Sequence, residues 1–126
     1  MFATTDAFSG FAVDDLDAAR AFYSETLGIE VVTEDMGILT LRLAGGARPT
    51  LIYPKPDHAP ANYTILNFPV DDIETAVDAL TDRGVAMLRY DGFDQDERGI
   101  SRAEGGPLIA WFTDPAGNIL AILQER

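Results

Sequence analysis

The sequence predicts an α+β fold made of two β-α-β-β-β modules, and two observations support this prediction. The stretch at residues 11–19, FAVDDLDAA, returns at residues 68–76 as FPVDDIETA, with five of the nine positions identical. The offset of 57 residues is slightly under half of the 126-residue chain, as expected for a duplicated supersecondary unit. In each half the apolar spacing then changes from the helical period to that of strands.

Each copy of the repeat begins with a short β-prone run that ends in Val-Asp-Asp and leads into a helix. The second acid, Asp15 or Asp72, is placed to cap that helix, because its carboxylate can accept hydrogen bonds from the free N–H groups of the first turn. A glycine, Gly28 or Gly84, stands where the helical spacing stops, and glycine commonly ends helices. The predicted helices are residues 16–27 and residues 73–83.

Strand signals return after each glycine. The run ILTLRL at residues 38–43 places every second leucine on one face, which is the period of a half-buried strand. The strands predicted in this way are residues 29–33, 38–43 and 49–53 in the first half and residues 85–90, 108–112 and 119–123 in the second.

Segments without such a period separate these elements. The connection YPKPDHAPANY holds three prolines and predicts a linker, so we expect one domain over residues 1–126, with modules 6–54 and 62–124 joined by a linker at 55–61. The polar stretch at residues 91–106 is long for a loop in a compact domain, and such loops are often lids or binding loops. DPAGN, at residues 114–118, predicts a tight turn, since glycine allows and asparagine tolerates a positive φ.

Composition excludes several classes of partner and chemistry. A net charge of −12 disfavours nucleic-acid backbones and anionic membranes as partners. No apolar run approaches the roughly 20 residues of a membrane-spanning helix, and the N-terminal residues lack the pattern of a secretory signal. Cysteine is absent, which excludes disulfides, thiolate metal sites and cysteine nucleophiles. We therefore expect a cytoplasmic protein.

Two segments, FAVDDLDAARAFYSETLGIEV and WFTDPAGNILAILQ, resemble the hallmark segments of the glyoxalase/bleomycin resistance protein/dioxygenase group, the vicinal oxygen chelate (VOC) superfamily. The resemblance covers nearly the whole chain. It implies two βαβββ modules that each curl a sheet into half of a glyoxalase-like open barrel, with a small-molecule site inside, and it implies a homodimer. It does not settle the function, because the family includes isomerases, lyases, epimerases, ring-cleaving dioxygenases and binding proteins without catalysis.

The resemblance also implies where a metal would be held. Catalytic members bind one divalent metal with His and Glu side chains on inward-facing strand positions, leaving open positions for substrate oxygens. The usual His positions fall at Phe8 and Ile65, the usual Glu falls at Ala121, and the matching end of the first module is near Leu51 and Tyr53. None of these is a usual ligand. We therefore expect no metal site of the normal kind and no cofactor.

Strand alternation, with the ligand positions taken as inward, predicts a mostly apolar inner face with two tyrosines and one asparagine. Such a face is typical of a small-molecule pocket, although the same side chains can instead fill the interior. Trp111 and Tyr90 flank the long loop and are expected at the pocket mouth, unless Trp111 packs in the core, and Phe93 is placed to close over it. The predicted ligand-binding residues are Phe8, Tyr53, Tyr63, Asn67, Tyr90, Phe93, Trp111 and Ala121.

The sequence thus predicts a metal-free protein that binds a small apolar or aromatic molecule and has a resistance or sequestration role. No acid lies on the inferred inner face, which argues against bleomycin-type recognition of a cation. The alternative is a lyase- or isomerase-type enzyme in which His58, Tyr63 or Glu104 acts as acid or base. In that case a relocated metal site would need loop residues such as His58, Asp91 and Glu104. A third possibility is an accessory module in which a dimer surface matters more than any pocket.

Overall fold

The computed structural model describes all 126 residues, and the chain divides into two compact units, Met1–His58 and Ala59–Arg126. The boundary lies within the proline-rich segment 55–61. Each unit combines one main helix with one small open sheet, so the predicted α+β class is confirmed.

The first unit, unit 1, has a four-stranded sheet in the order β1-β4-β3-β2. β1 runs parallel to β4, and the other neighbours are antiparallel. The helix α1 continues into a wide, π-type turn at Phe22–Thr26, in which the Leu27 N–H donates to the Phe22 carbonyl at 3.0 Å. The elements of unit 1 are β1 (Ser9–Val13), α1 (Leu16–Ala21), β2 (Val31–Thr33), β3 (Leu39–Leu43) and β4 (Arg48–Pro54), with 3-10 turns at Asp35–Gly37 and Ala44–Gly46.

One face of this sheet forms the core of unit 1. Leu39 and Ile52 are neighbours in the ladder and are fully buried. On the same face, Phe11 contacts the buried ring of Tyr23 at a centroid distance of 5.9 Å. The predicted cap is present as well, because the Asp15 carboxylate accepts from the Ala18 N–H at 3.1 Å. The opposite face of the sheet carries the positions that alternation assigns to the predicted inner face.

The second unit, unit 2, has a three-stranded sheet in the order β5-β7-β6. Gln124 lies on the same face of β7 as Leu120 and Ile122, and its side chain accepts from the Ile73 N–H at the start of α2 at 2.8 Å. That face is thus the helix side, where Ile73, Leu120 and Ile122 are buried. The elements of unit 2 are β5 (Thr64–Pro69), α2 (Ile73–Asp82), β6 (Leu108–Thr113) and β7 (Ile119–Gln124).

The prediction of a strand at residues 85–90 is wrong, because the chain forms no strand there. A single backbone hydrogen bond, from the Leu88 N–H to the Trp111 carbonyl at 2.8 Å, ties this segment to the edge of β6. The Gln95 side chain donates to the Leu88 carbonyl at 3.0 Å and accepts from the Tyr90 N–H at 2.8 Å. A side-chain amide from the following loop therefore occupies backbone groups with which this segment would otherwise pair as a strand.

The turn that joins β6 to β7 is organised by the buried carboxylate of Asp114. It accepts from the N–H groups of Ala116 and Asn118 at 3.0 and 2.9 Å and from the Asn118 side chain at 3.0 Å. Gly117 has a φ of +87° there, which favours glycine. The DPAGN turn is therefore structural, and it sets the direction in which β7 leaves.

Candidate functional site

The face of unit 2 opposite α2 carries a row of three side chains, one from each strand. Asn67 of β5 and Trp111 of β6 both lie opposite Ala121 of the central strand β7. Asn67 is exposed, Trp111 is half-buried and Ala121 is buried. An amide, a methyl group and an indole thus stand side by side, an arrangement that offers apolar area with one polar group for orientation.

Two aromatic rings from the segment after α2 join Trp111 and form an aromatic cluster of Tyr90, Phe93 and Trp111. The ring centroids of Tyr90 and Trp111 lie 5.3 Å apart, those of Phe93 and Trp111 lie 5.4 Å apart, and those of Tyr90 and Phe93 lie 5.7 Å apart. The two contacts to Trp111 are edge-to-face, an arrangement that aromatic rings favour. The structure therefore brings together three of the predicted ligand-binding residues and joins them to the row through Trp111.

Gln95 positions this cluster, and sequence reasoning missed it. Besides holding Leu88 and Tyr90, its amide donates to the Gly99 carbonyl at 2.8 Å. The start and the middle of the loop are thereby held together on either side of Phe93. No local pattern distinguishes this glutamine from a solvent-facing loop residue, because its partners are backbone groups that any residue carries.

Beyond Gln95, charged side chains fasten the loop to α2. We call this set the loop clamp: Asp96, Arg98 and Arg102 of the loop with Glu74 and Asp78 of the helix. Arg98 binds both oxygens of Asp78 at 2.9 and 3.2 Å, and Arg102 reaches Glu74 at 3.2 Å and Asp96 at 3.0 Å. The hydrogen bond to Asp78 is the main reason that the pKa of the Arg98 guanidinium is raised. The loop clamp fixes the second half of a loop that the sequence marked only as polar and long.

The Asp96 carboxylate sits at the centre of the loop clamp. Burial by itself raises the pKa of this carboxyl group, but hydrogen bonds from the Ile100 N–H, the Arg102 guanidinium and the Arg98 N–H outweigh burial and lower it below its ordinary value of 3.8. Both backbone N–H groups donate to the carboxylate at 2.9 Å. Asp96 is therefore an anion that shapes the loop.

A β-bulge corrects the predicted placement of Tyr63 and Ile65. Thr64 pairs with Ile119, whereas Leu66 pairs with Leu120, so the register shifts by one residue between them. Strict alternation would place Tyr63, Ile65 and Asn67 on one face, and the bulge breaks that alternation. Tyr63 precedes β5 and its side chain is 67% exposed, so it does not continue the row that contains Asn67.

The two predicted ligand-binding residues of unit 1, Phe8 and Tyr53, are both exposed. Tyr53 lies opposite Ala12 in the β1–β4 ladder, and Leu51 lies opposite Gly10, all on the face away from α1. Tyr53 is exposed, and Phe8, just before β1, is exposed as well. Phe8 and Tyr53 thus belong to unit 1, whereas the row and the aromatic cluster belong to unit 2.

Two of the three acid–base candidates, His58 and Glu104, differ in their surroundings. The Nε2 atom of His58, at the end of unit 1, is buried and has no hydrogen-bond partner. Glu104 is exposed in the long loop of unit 2. A buried imidazole nitrogen without a partner is unusual and marks His58 as the more notable of the two.

The side chains present do not fit the metal centre of the catalytic relatives. Phe8, Ile65 and Ala121, at the positions where the resemblance places metal ligands, offer no donor atom for a divalent cation. Elsewhere in the chain, no group of three or more His, Cys, Asp or Glu side chains is arranged to hold a metal ion.

A helix-on-sheet unit that occurs twice along the chain, with aromatic and apolar side chains on the sheet face opposite the helix in unit 2, defines an α+β protein of repeated modules. The chain belongs to the Glyoxalase/Bleomycin resistance protein/Dioxygenase superfamily, whose sequence pattern it matches over residues 6–122. This match confirms the resemblance carried by the repeat and by the DPAGN segment.

Solved structures support the same fold. A member of this superfamily from Sphaerobacter thermophilus DSM 20745 is 26% identical, with a TM-score of 0.73 and coverage of 94% of this chain and 96% of that one. TnmS3, an antibiotic binding protein from Streptomyces sp. CB03234, is 24% identical, with a TM-score of 0.70 and coverage of 98% of both chains. Lactoylglutathione lyase from Agrobacterium tumefaciens is 20% identical, with a TM-score of 0.70 and coverage of 94% of this chain and 92% of that one.

A search of functionally curated proteins gives no significant match. None of the helices combines the length and the apolar character that a membrane crossing requires.

Proposed function

We propose that this protein binds a small aromatic or apolar molecule without a metal, on the face of unit 2 formed by Asn67, Ala121 and Trp111 and bordered by Tyr90 and Phe93. Binding of this kind suits a resistance or sequestration role. Tyr53, Tyr63 and Phe8, the remaining predicted ligand-binding residues, have a smaller part in the proposal because they lie outside the row and the aromatic cluster.

The observation that carries the proposal is the replacement of a ligating side chain by Ala121 beside Trp111. Where a carboxylate would hold a cation, a methyl group lies next to an indole, and this favours apolar contact over coordination. Asn67 supplies a donor and an acceptor on the other side of Ala121, which suits a ligand with one polar edge. The likeness to an antibiotic binding protein is compatible with such a role.

The first experiment is a thermal-shift screen of neutral and cationic aromatic compounds, followed by calorimetric titration of those that raise the melting temperature. A compound that binds the native state at about 100 times its Kd stabilises it by about 2.7 kcal/mol. We expect Trp111→Leu to weaken binding of such a compound about tenfold, since an aromatic contact of about 1 kcal/mol and buried area are lost.

The matched control is Trp111→Phe, which keeps an aromatic ring at the same position and is expected to retain most of the affinity. Equal binding by the wild type and Trp111→Leu would contradict the proposed site. Stoichiometric Zn, Ni, Mn or Fe in the purified, tag-free protein, measured by mass spectrometry, would contradict the metal-free part.

The alternative function is a lyase- or isomerase-type reaction with His58 as acid or base, and the observation in its favour is the buried, unpartnered Nε2 atom. The likeness to a lactoylglutathione lyase is compatible with it. Turnover of a bound compound that is lost in His58→Ala but not in Glu104→Ala would favour this alternative over simple binding.

We also propose a cytoplasmic homodimer. The absence of cysteine is compatible with a reducing compartment, and dimers are what the family resemblance implies. Sedimentation equilibrium of the purified protein decides between one and two copies.

A further inference from the structure

The Trp111 indole is covered by two rings of its own chain, and these rings are held very differently. Tyr90 is fixed by its N–H hydrogen bond to Gln95 at 2.8 Å. Phe93 has one backbone hydrogen bond, from its N–H to the Tyr90 carbonyl at 3.3 Å, and its side chain is 54% exposed. The position of the Phe93 ring therefore depends mainly on its contacts with the rings of Trp111 and Tyr90.

The segment that carries Phe93 has few restraints between two fixed ends. One end is Tyr90, and the other is Gln95, from which the loop clamp begins. Gly92, next to Phe93, has a φ of +84°, and an added Cβ there would meet no atom within 4 Å. Every ion pair of the loop involves Arg98 or Arg102, so Asp91 and Asp94 take part in none. Residues with so few contacts open at low free-energy cost.

We infer that Phe93 is an intramolecular competitor for the ligand: its ring occupies the surface of Trp111 that a planar aromatic ligand takes, and the ligand displaces it. This inference rests on the proposed binding function of the same face. A ligand that must first displace Phe93 binds only to the open fraction of the protein. Its apparent Kd is therefore the intrinsic Kd divided by that fraction, which makes binding weaker. Phe93 thereby selects for ligands whose ring stacks on Trp111 better than its own edge-to-face contact.

The charges beside Phe93 indicate the class of ligand more closely. Asp91 and Asp94 are exposed carboxylates on either side of this residue in sequence, and the whole chain has a net charge of −12. Carboxylates so near to Phe93 in the sequence raise the local negative charge, which attracts a cation and disfavours an anion. These charges favour planar aromatic cations as the ligand class.

The test compares two probes of the same three-ring shape, the cation 9-aminoacridine and the anion 9-anthracenecarboxylate. Phe93→Ala is expected to bind 9-aminoacridine about 3- to 10-fold more tightly than the wild type, the factor that corresponds to loss of one aromatic pair. Phe2→Ala, which removes another exposed phenylalanine, is the control and is expected to leave binding unchanged. Asp91→Asn with Asp94→Asn is expected to reduce the preference for the cation.

A second readout needs no ligand. Trp111 is the single tryptophan of the chain, so its fluorescence reports on this surface alone. Acrylamide is expected to quench that fluorescence more strongly in Phe93→Ala than in the wild type, because the covering ring is gone. Unchanged quenching would overturn the inference.

The inference and the proposed function fail in different ways. Wild-type binding of 9-aminoacridine with equal or weaker binding by Phe93→Ala would make Phe93 a fixed wall of the site and overturn the inference alone. Binding of the anion as tightly as the cation would overturn the assignment of ligand class. No binding of any aromatic compound by either protein, with both folded by circular dichroism, would overturn the proposed function itself.

Discussion

Ala121 lies at the centre of the middle strand of unit 2, between Asn67 and Trp111 in the register. The family resemblance places a metal-binding glutamate at this position, and a methyl group changes what the face can do. An ionised carboxylate next to an indole would need a cation or hydrogen-bond donors, whereas the buried methyl group of alanine needs neither. The replacement of the usual ligand at this position was readable from the sequence because the DPAGN turn sets the register of β7.

Asp96 is a residue of the loop clamp whose titration we expect to affect stability. Asp96→Ala removes two backbone hydrogen bonds and the pairing with Arg102, and is expected to lower the free energy of unfolding by about 1–3 kcal/mol at pH 7. Urea denaturation measures this change. Asp94→Ala is the matched control, since Asp94 is an exposed acid of the same loop without an ion pair.

The pH dependence follows from the lowered pKa of Asp96. A carboxyl group whose pKa is lower in the folded than in the unfolded protein stabilises the fold fully above its unfolded pKa of about 3.9. This contribution is lost as the pH falls below that value and through the lowered folded pKa. The difference in stability between wild type and Asp96→Ala should therefore shrink in acid, and a difference that stays constant down to pH 2 would contradict this role.

At the scale of secondary structure, the elements with their own local signals were predictable. Asp15 and Asp72 cap helices that begin at the expected residues. The prediction of a strand at residues 85–90 was wrong because the conformation of this segment depends on Gln95. The amide of Gln95 forms hydrogen bonds with the backbone groups of Leu88 and Tyr90. The bulge in β5 escaped prediction for a related reason, since the register against β7 decides it.

Gln95→Glu tests how far one amide organises the loop. The carboxylate keeps an acceptor for the Tyr90 N–H but loses the donors to the Leu88 and Gly99 carbonyls. Because the Leu88 segment loses one of its ties, we expect faster exchange of the Leu88 N–H, which donates to the Trp111 carbonyl, and a loss of roughly 1–3 kcal/mol of stability.

Gln124→Glu is the matched control for that substitution. Its side chain accepts from the Ile73 N–H, an interaction that a carboxylate retains. Equal destabilisation by the two substitutions would show that added charge, and not the lost donor, is responsible.

For the molecule as a whole, a net charge of −12 on 126 residues produces self-repulsion in the compact state. Raising the salt concentration from about 0.01 M to 0.1 M shortens the screening length from about 30 Å to about 10 Å. We expect the melting temperature to rise over this range, because screening of repulsion outweighs the weakening of the partly exposed ion pairs of the loop clamp. A melting temperature that falls with salt, measured by scanning calorimetry, would show that weakening of the ion pairs outweighs the screening of repulsion.

The wide turn at Phe22–Thr26 also explains a difference in length between the two copies of the repeat. Asp15 and Asp72 are 57 residues apart, whereas Gly28 and Gly84 are 56 apart, so the first copy holds one residue more between its helix cap and its terminal glycine. A π-type hydrogen bond spans one residue more than an α-type bond, and it absorbs a surplus residue within the helix. The two copies have therefore diverged by a single-residue length difference that is confined to one helical turn, while the cap before it and the glycine after it keep their places.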